Sequence, residues 1–172
     1  KKFVLPALLF TILAVSCKQD KKTLLAKKWQ AVALDNPQLA QTIKEQEAFI
    51  DTFGKNSDAN TNEINYGVRN VDSMRESMRA QLNDFKAMQD NAVKTTSFEF
   101  LKDGKAIVNF SGQIDSTNWY FDDEDNLVLD EMELKGAGNK LIMVVNELTD
   151  KTLKLTFKED GLTGTITFEP AK

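Results

Sequence analysis

One thiol, no imidazole and a tight run of carboxylates are the reactive groups that stand out in this chain of 172 residues. Without histidine the commonest general base is missing, which argues against Ser–His and Cys–His hydrolases and leaves only carboxylate-based catalysis open. With one cysteine and no His, structural zinc sites lose their usual ligands. Asp122-Asp123-Glu124-Asp125-Asn126 packs four carboxylates into five residues and could attract calcium. It lacks the spacing and the late bidentate Glu of an EF-hand, so a solvated turn accounts for it as well. We assign no catalytic residue, metal site or cofactor, and expect no enzyme. The thiol is Cys17, and its chemistry is set by what precedes it: basic Lys1-Lys2, an apolar stretch from Phe3 to Val15, then small residues up to Ser16.

That order is a secretion signal in pattern. Its apolar core is about 13 residues, short of the roughly 20 a helix needs to cross the hydrocarbon layer. Ala14-Val15-Ser16-Cys17 resembles the end of a bacterial lipoprotein signal, in which the Cys becomes the first mature residue and carries a diacylglyceryl thioether plus an N-acyl chain such as palmitate. The resemblance implies a signal peptide over 1–16, lipid attachment at Cys17, a polar tether over 17–22 and a membrane partner reached through that anchor. One acyl chain binds membranes only marginally, and two or more hold. In such families an Asp after the Cys retains the protein at the inner membrane; Lys18 stands here, which implies the outer membrane. The competing reading is a secreted protein with one unpaired thiol. Without residues 1–16 the chain has 20 basic and 26 acidic side chains, a balance of −6, which argues against a nucleic-acid partner.

Two kinds of element must carry whatever else the chain does. Residues 24–34 (LLAKKWQAVAL) read as a first strand containing Trp29. Asn36-Pro37 then opens a helix, with an N-cap acceptor followed by Pro in the first turn. Leu39, Ile43, Ile50 and Phe53 follow at helical spacing up to Gly54, and polar Lys55–Asn62 reads as a loop. Ile64, Val68, Val71, Met74, Met78, Leu82, Phe85, Met88 and Ala92 form one stripe, predicting a second helix of about 30 residues and about 45 Å. Asp72, Arg75, Glu76, Arg79 and Lys86 lie opposite. The methionines either pack against the first helix or form an adaptable surface for a protein partner. Residues 36–94 thus read as an inserted αα-hairpin.

From Thr96 the period changes to two. Phe98 and Phe100 share a face; Asp103-Gly104 turns into Ala106, Val108 and Phe110; Trp119, Phe121, Leu127 and Leu129, Leu141–Val145, Leu153–Phe157 and Ile166–Phe168 continue the series, with a turn at Asp160-Gly161. About eight short strands joined by hairpin turns predict an up-and-down barrel or a sandwich. Leu141, Met143 and Val145 should point inward. Ile142 and Val144 then point outward and need a cover, which the hairpin is expected to give.

Trp29, the run Trp119-Tyr120-Phe121-Asp122-Asp123 with Asn126–Leu129, and Asn146–Leu155 together resemble the bacterial lipocalin-like lipoprotein domains, over residues 23–34 and 96–170. The resemblance implies one domain over 23–172, mainly β, with an eight-stranded up-and-down barrel whose calyx holds a small apolar ligand. Phe100, Phe110, Trp119 and Phe157 would line it. The family's Gly two residues before the Trp is Lys27 here, and no Arg lies on the last strands to cover that Trp. Six large aromatics could equally fill a narrow barrel. A filled barrel leaves a structural or interaction role, with the hairpin as the contact surface.

Overall fold

Alternation between apolar and polar residues decides the wall of this protein. The computed structural model describes residues 20–159 and 161–172, with only the backbone of Glu133, Glu159 and Leu162. Eight strands pair antiparallel in chain order and close on themselves: β1 (Lys28–Asp35), β2 (Ser97–Phe100), β3 (Lys105–Phe110), β4 (Gln113–Phe121), β5 (Leu127–Asp130), β6 (Lys140–Leu148), β7 (Leu153–Glu159) and β8 (Leu162–Pro170). β8 returns to β1, pairing Phe168 with Ala31 and Ile166 with Leu34, so no outer edge remains between first and last strand. The predicted up-and-down barrel with an inserted hairpin is the observed fold. Bulges at Ala31/Ala33 and Val145/Glu147 bend β1 and β6 where the wall curves.

The first strand starts later than the sequence suggested. Asp20 accepts from the backbone N–H of Lys22 and caps a short helix, α1 (Lys21–Leu25), so Leu24 and Leu25 are helical and β1 begins at Lys28. The tether expected over 17–22 therefore lies outside the described residues up to Gln19, and its last residues belong to α1. Leu25 plugs that end of the barrel, fully buried, and its carbonyl accepts from the indole Nε1 of Trp29 at 2.9 Å. A buried indole N–H needs such a partner, and one backbone turn of α1 supplies it.

At the other end β1 runs into α2 (Pro37–Thr52), capped by Asn36, whose side chain accepts from the N–H of Leu39. The single long helix predicted from Ile64 to Ala92 is in fact two. α3 (Ala59–Tyr66) begins inside the expected loop, capped by Asp58, and ends at Gly67 in the left-handed region; α4 (Asp72–Thr95) follows. Gly67 explains the break, since a left-handed residue ends a helix and glycine adopts that conformation without cost. Ile64, placed on the stripe by spacing alone, is 83% exposed.

The hairpin has a small core of its own: Ile50, Phe53, Val71 and Leu82 are buried, with Phe53 flanked by the rings of Phe49 and Tyr66. Arg75, placed opposite the apolar stripe by its spacing, reaches back to donate to the Phe53 carbonyl at the end of α2. Arg79 pairs with Asp51 at 2.9 Å, and Lys86 with Glu47. Only the root of the hairpin rests on the barrel, against β1, β3 and β8, where Gln30 ties it down by donating to the carbonyls of Lys94 and Thr96. The helices consequently do not cover β6. Ile142 and Val144 point outward as predicted but remain about half exposed, at 50% and 49%, because the hairpin leaves from a different sector of the wall.

Candidate functional site

The barrel interior divides into two halves with different packing. Towards α1 it is filled. Trp29, Phe98, Phe100, Leu127, Leu153, Leu155 and Phe168 are all but inaccessible, and aromatic rings meet edge to face: Phe98–Phe100 at 6.1 Å and Phe100–Trp119 at 5.5 Å between centroids. Such contacts add about 0.5–1.5 kcal/mol each to the burial of the rings. Trp119 donates its indole N–H to the Leu101 carbonyl at 3.0 Å. Phe157 lies over Gly164, where a Cβ would meet its ring at 2.6 Å; only a residue without a side chain leaves space for the phenyl group.

Towards the hairpin end the wall is incomplete, and the reason is strand length. β5 has four residues and pairs with β4 only from Asn118 to Phe121, so Gln113–Thr117 of β4 have no β5 partner. The chain leaves the wall at Glu131, makes the short helix α5 (Glu131–Lys135) against β4, and re-enters at Lys140. A cleft of about 740 Å³ opens there. Val108, Phe110, Ile114, Leu129 and Leu141 give it apolar surface; Gln113, Asp115, Thr117, Glu131, Asn139, Lys140 and Lys158 give it polar surface. Val108 and Leu129 also belong to the barrel core, so the cleft reaches the interior. Its size is within the range of small-molecule sites, about 300–1,000 Å³.

The electrostatics of this mouth are arranged in pairs. Lys135 of α5 bridges to Asp115 of β4 and lies 3.9 Å from Glu131. The hydrogen bond from Lys135, with a second from the backbone N–H of Ser116, holds the Asp115 carboxyl below the usual carboxylate range. Lys140 stands over the ring of Tyr120 and pairs with Asp130 at 3.4 Å; its interaction with the Tyr120 hydroxyl raises its pKa. Lys158 adds a further cation to the lining. Among the described residues the mouth carries no imidazole or thiol, and its arrangement offers shape, apolar surface and paired charge.

The four aromatics singled out from the sequence are thus separated. Phe100 and Trp119 come together in the filled half, Phe157 is half-buried over Gly164, and Phe110 alone lines the cleft. Phe110 was expected inside; it sits instead at the rim, 39% exposed, with one face on Phe98 at 4.9 Å, because β3 ends there. Leu141 points inward as expected, but its place with Leu129 in the cleft lining and the Asp115–Lys135 pair were missed. Their one signal was the contrast between short Leu127–Asp130 and the Gly136-Ala137-Gly138-Asn139 connection that follows it. Cys17 lies outside the described residues.

At the opposite end a lysine covers the ring of Trp29. The Lys27 ammonium stands 4.9 Å from the centre of the Trp29 ring and donates to the Asp150 carbonyl at 3.0 Å. In the acidic turn, Asp122 has its carboxyl lowered despite the opposing effect of burial, through hydrogen bonds from the Asn126 side chain and backbone and from the Glu124 N–H. Asp125 pairs with Lys21 at 3.0 Å. These contacts tie the turn to itself and to α1. Among the described residues, no group of three or more acidic side chains is placed to hold a metal ion.

No family model matches the chain, and none of the curated proteins does. Among solved structures it is similar to a DUF4847 family protein from Bacteroides vulgatus ATCC 8482, at 14% identity over 88% of this chain and 97% of that one, with a TM-score of 0.42.

Proposed function

We propose that this protein is a non-enzymatic lipoprotein of the cell envelope, anchored through Cys17, whose lipocalin-like barrel binds a small hydrophobic molecule at the hairpin end. The observation that carries this reading is the unevenly filled interior. Aromatic side chains occupy the α1 half, whereas the other half keeps a cleft of about 740 Å³ with an apolar floor and a polar rim. A molecule with an apolar body would lie against Val108, Phe110, Leu129 and Leu141, and a polar end would meet the rim. The orientation suits an anchored protein. β1 leads from α1, a few residues after Cys17, to the helical hairpin, so the cleft opens at the end away from the anchor.

Two measurements test the two parts separately. A labelled fatty acid fed to producing cells should label the protein but not its Cys17→Ala variant; an unlabelled wild type removes the anchor. Solvent extraction of the purified full-length protein, followed by mass spectrometry, should yield a near-stoichiometric apolar compound. Its yield should fall about tenfold when Leu141→Trp fills the cleft. Extracts identical in the two proteins would refute the ligand.

A further inference from the structure

We propose that the molecule held in the cleft is uncharged and facially amphipathic: a rigid apolar body with hydroxyl groups along one side, matched to a row of polar side chains on β4. This rests on the reading of the cleft as a binding site. Alternation along β4 turns Gln113, Asp115, Thr117, Trp119 and Phe121 to one side. Trp119 and Phe121 pack with the barrel core, so that side is the interior. Interior strand positions are ordinarily apolar, yet the three that border the cleft are an amide, a carboxylate and a hydroxyl. The apolar lining comes from other strands. Val108 and Phe110 of β3 stand opposite Asp115 and Gln113 in register, and Leu129 and Leu141 come from β5 and β6. Beyond its polar rim, the cleft therefore has a polar strip along one strand, flanked by hydrocarbon.

What the strip can bond decides the class of molecule. Alternate residues on a strand are about 6.7 Å apart, so the three groups span about 13 Å. Thr117 is 1% exposed; its hydroxyl donates to the Asn118 carbonyl at 3.1 Å and keeps its lone pairs to accept. Asp115 receives Lys135 and the Ser116 N–H on Oδ1, which leaves Oδ2 to accept. The Gln113 amide makes no hydrogen bond with any described residue. All three groups can accept, and an ionised carboxylate can only accept. Hydroxyls on the ligand meet that need, whereas a carboxylate or phosphate would face like charge at Asp115. A cation is not called for, because Lys135 already balances Asp115. A straight-chain acid, polar at one end only, would lay hydrocarbon over the strip and leave its groups unpaired, an unfavourable exchange.

The test is equilibrium dialysis of the full chain against three probes: a cholane triol with all its hydroxyls on one face, the matching mono-ol, and dodecanoic acid. The triol should bind at least about tenfold more tightly than the mono-ol, although it is the less apolar of the two. Leu141→Trp should weaken the triol, as expected of a molecule in the cleft. Gln113→Leu and Thr117→Val nearly keep side-chain size and remove hydrogen bonding; together they should bring triol and mono-ol to within about threefold of each other. Gln113→Leu alone changes an exposed residue and should already narrow the gap, so the result does not hang on the buried Thr117. Mono-ol or dodecanoic acid bound as tightly as the triol overturns the proposal and leaves the cleft standing as a site. A triol preference untouched by both substitutions, or triol binding indifferent to Leu141→Trp, overturns it as well. Binding of none of the three also overturns it, and the cleft itself then stands or falls with the solvent-extraction experiment.

Discussion

Phe110 and Trp119 are both aromatic strand residues, yet their surroundings assign them different work. Trp119 is 5% exposed, packed edge to face on Phe100 and bonded through its indole N–H, whereas Phe110 leaves 39% of its surface in the cleft. Trp119→Ala should therefore cost about 3–5 kcal/mol of unfolding free energy. Phe110→Ala removes half-solvated surface and one ring contact, and should cost less than about 2 kcal/mol. Denaturant titration of both variants checks this, and equal losses would mean that Phe110 belongs to the packed core. Alternation alone placed Trp119 and Phe100 inside, because period two fixes which face a strand residue occupies. It could not say that β3 ends at Phe110, since where a strand stops depends on its neighbours.

Elements were legible where local chemistry defines them. Asn36-Pro37, Asp103-Gly104 and the Asp122–Asn126 turn were readable because capping and tight turns are short-range. The α3–α4 break was missed because Gly67 sits within an otherwise continuous stripe, and one left-handed residue outweighs the pattern around it. α5 was missed because it exists for tertiary reasons: it covers the part of β4 that β5 is too short to reach. The Asp115–Lys135 bridge is one of the contacts that join α5 to β4. The folded pKa of that carboxyl lies below its unfolded value of about 3.9, so the stability it contributes is fully present above that pH. It is lost as the pH falls through the lower, folded value. α5 should hold its place at neutral and mildly acidic pH and detach only below about pH 4. Amide exchange of residues 131–139 followed down the pH scale, corrected for intrinsic rates, reads this directly. Detachment already at pH 6 would rule out the Asp115–Lys135 bridge as the clamp, and Asp115→Asn should loosen α5 at neutral pH.

At the scale of the whole molecule, the described residues form a barrel filled at one end around Leu25 and Trp29 and breached by a cleft at the other. The sequence pointed to the barrel and its inserted hairpin, but not to the breach, because the void comes from a mismatch between strand lengths instead of any residue's chemistry. We propose this breach as the binding cleft. The most direct measurement is an equilibrium titration of the full chain with a fluorescent amphipathic probe, comparing wild type with Leu141→Trp. Binding should saturate at one site in the wild type and weaken about tenfold when the cleft is filled, while the melting temperature stays within a few degrees. Absence of saturable binding, or equal affinity in both proteins, would contradict it.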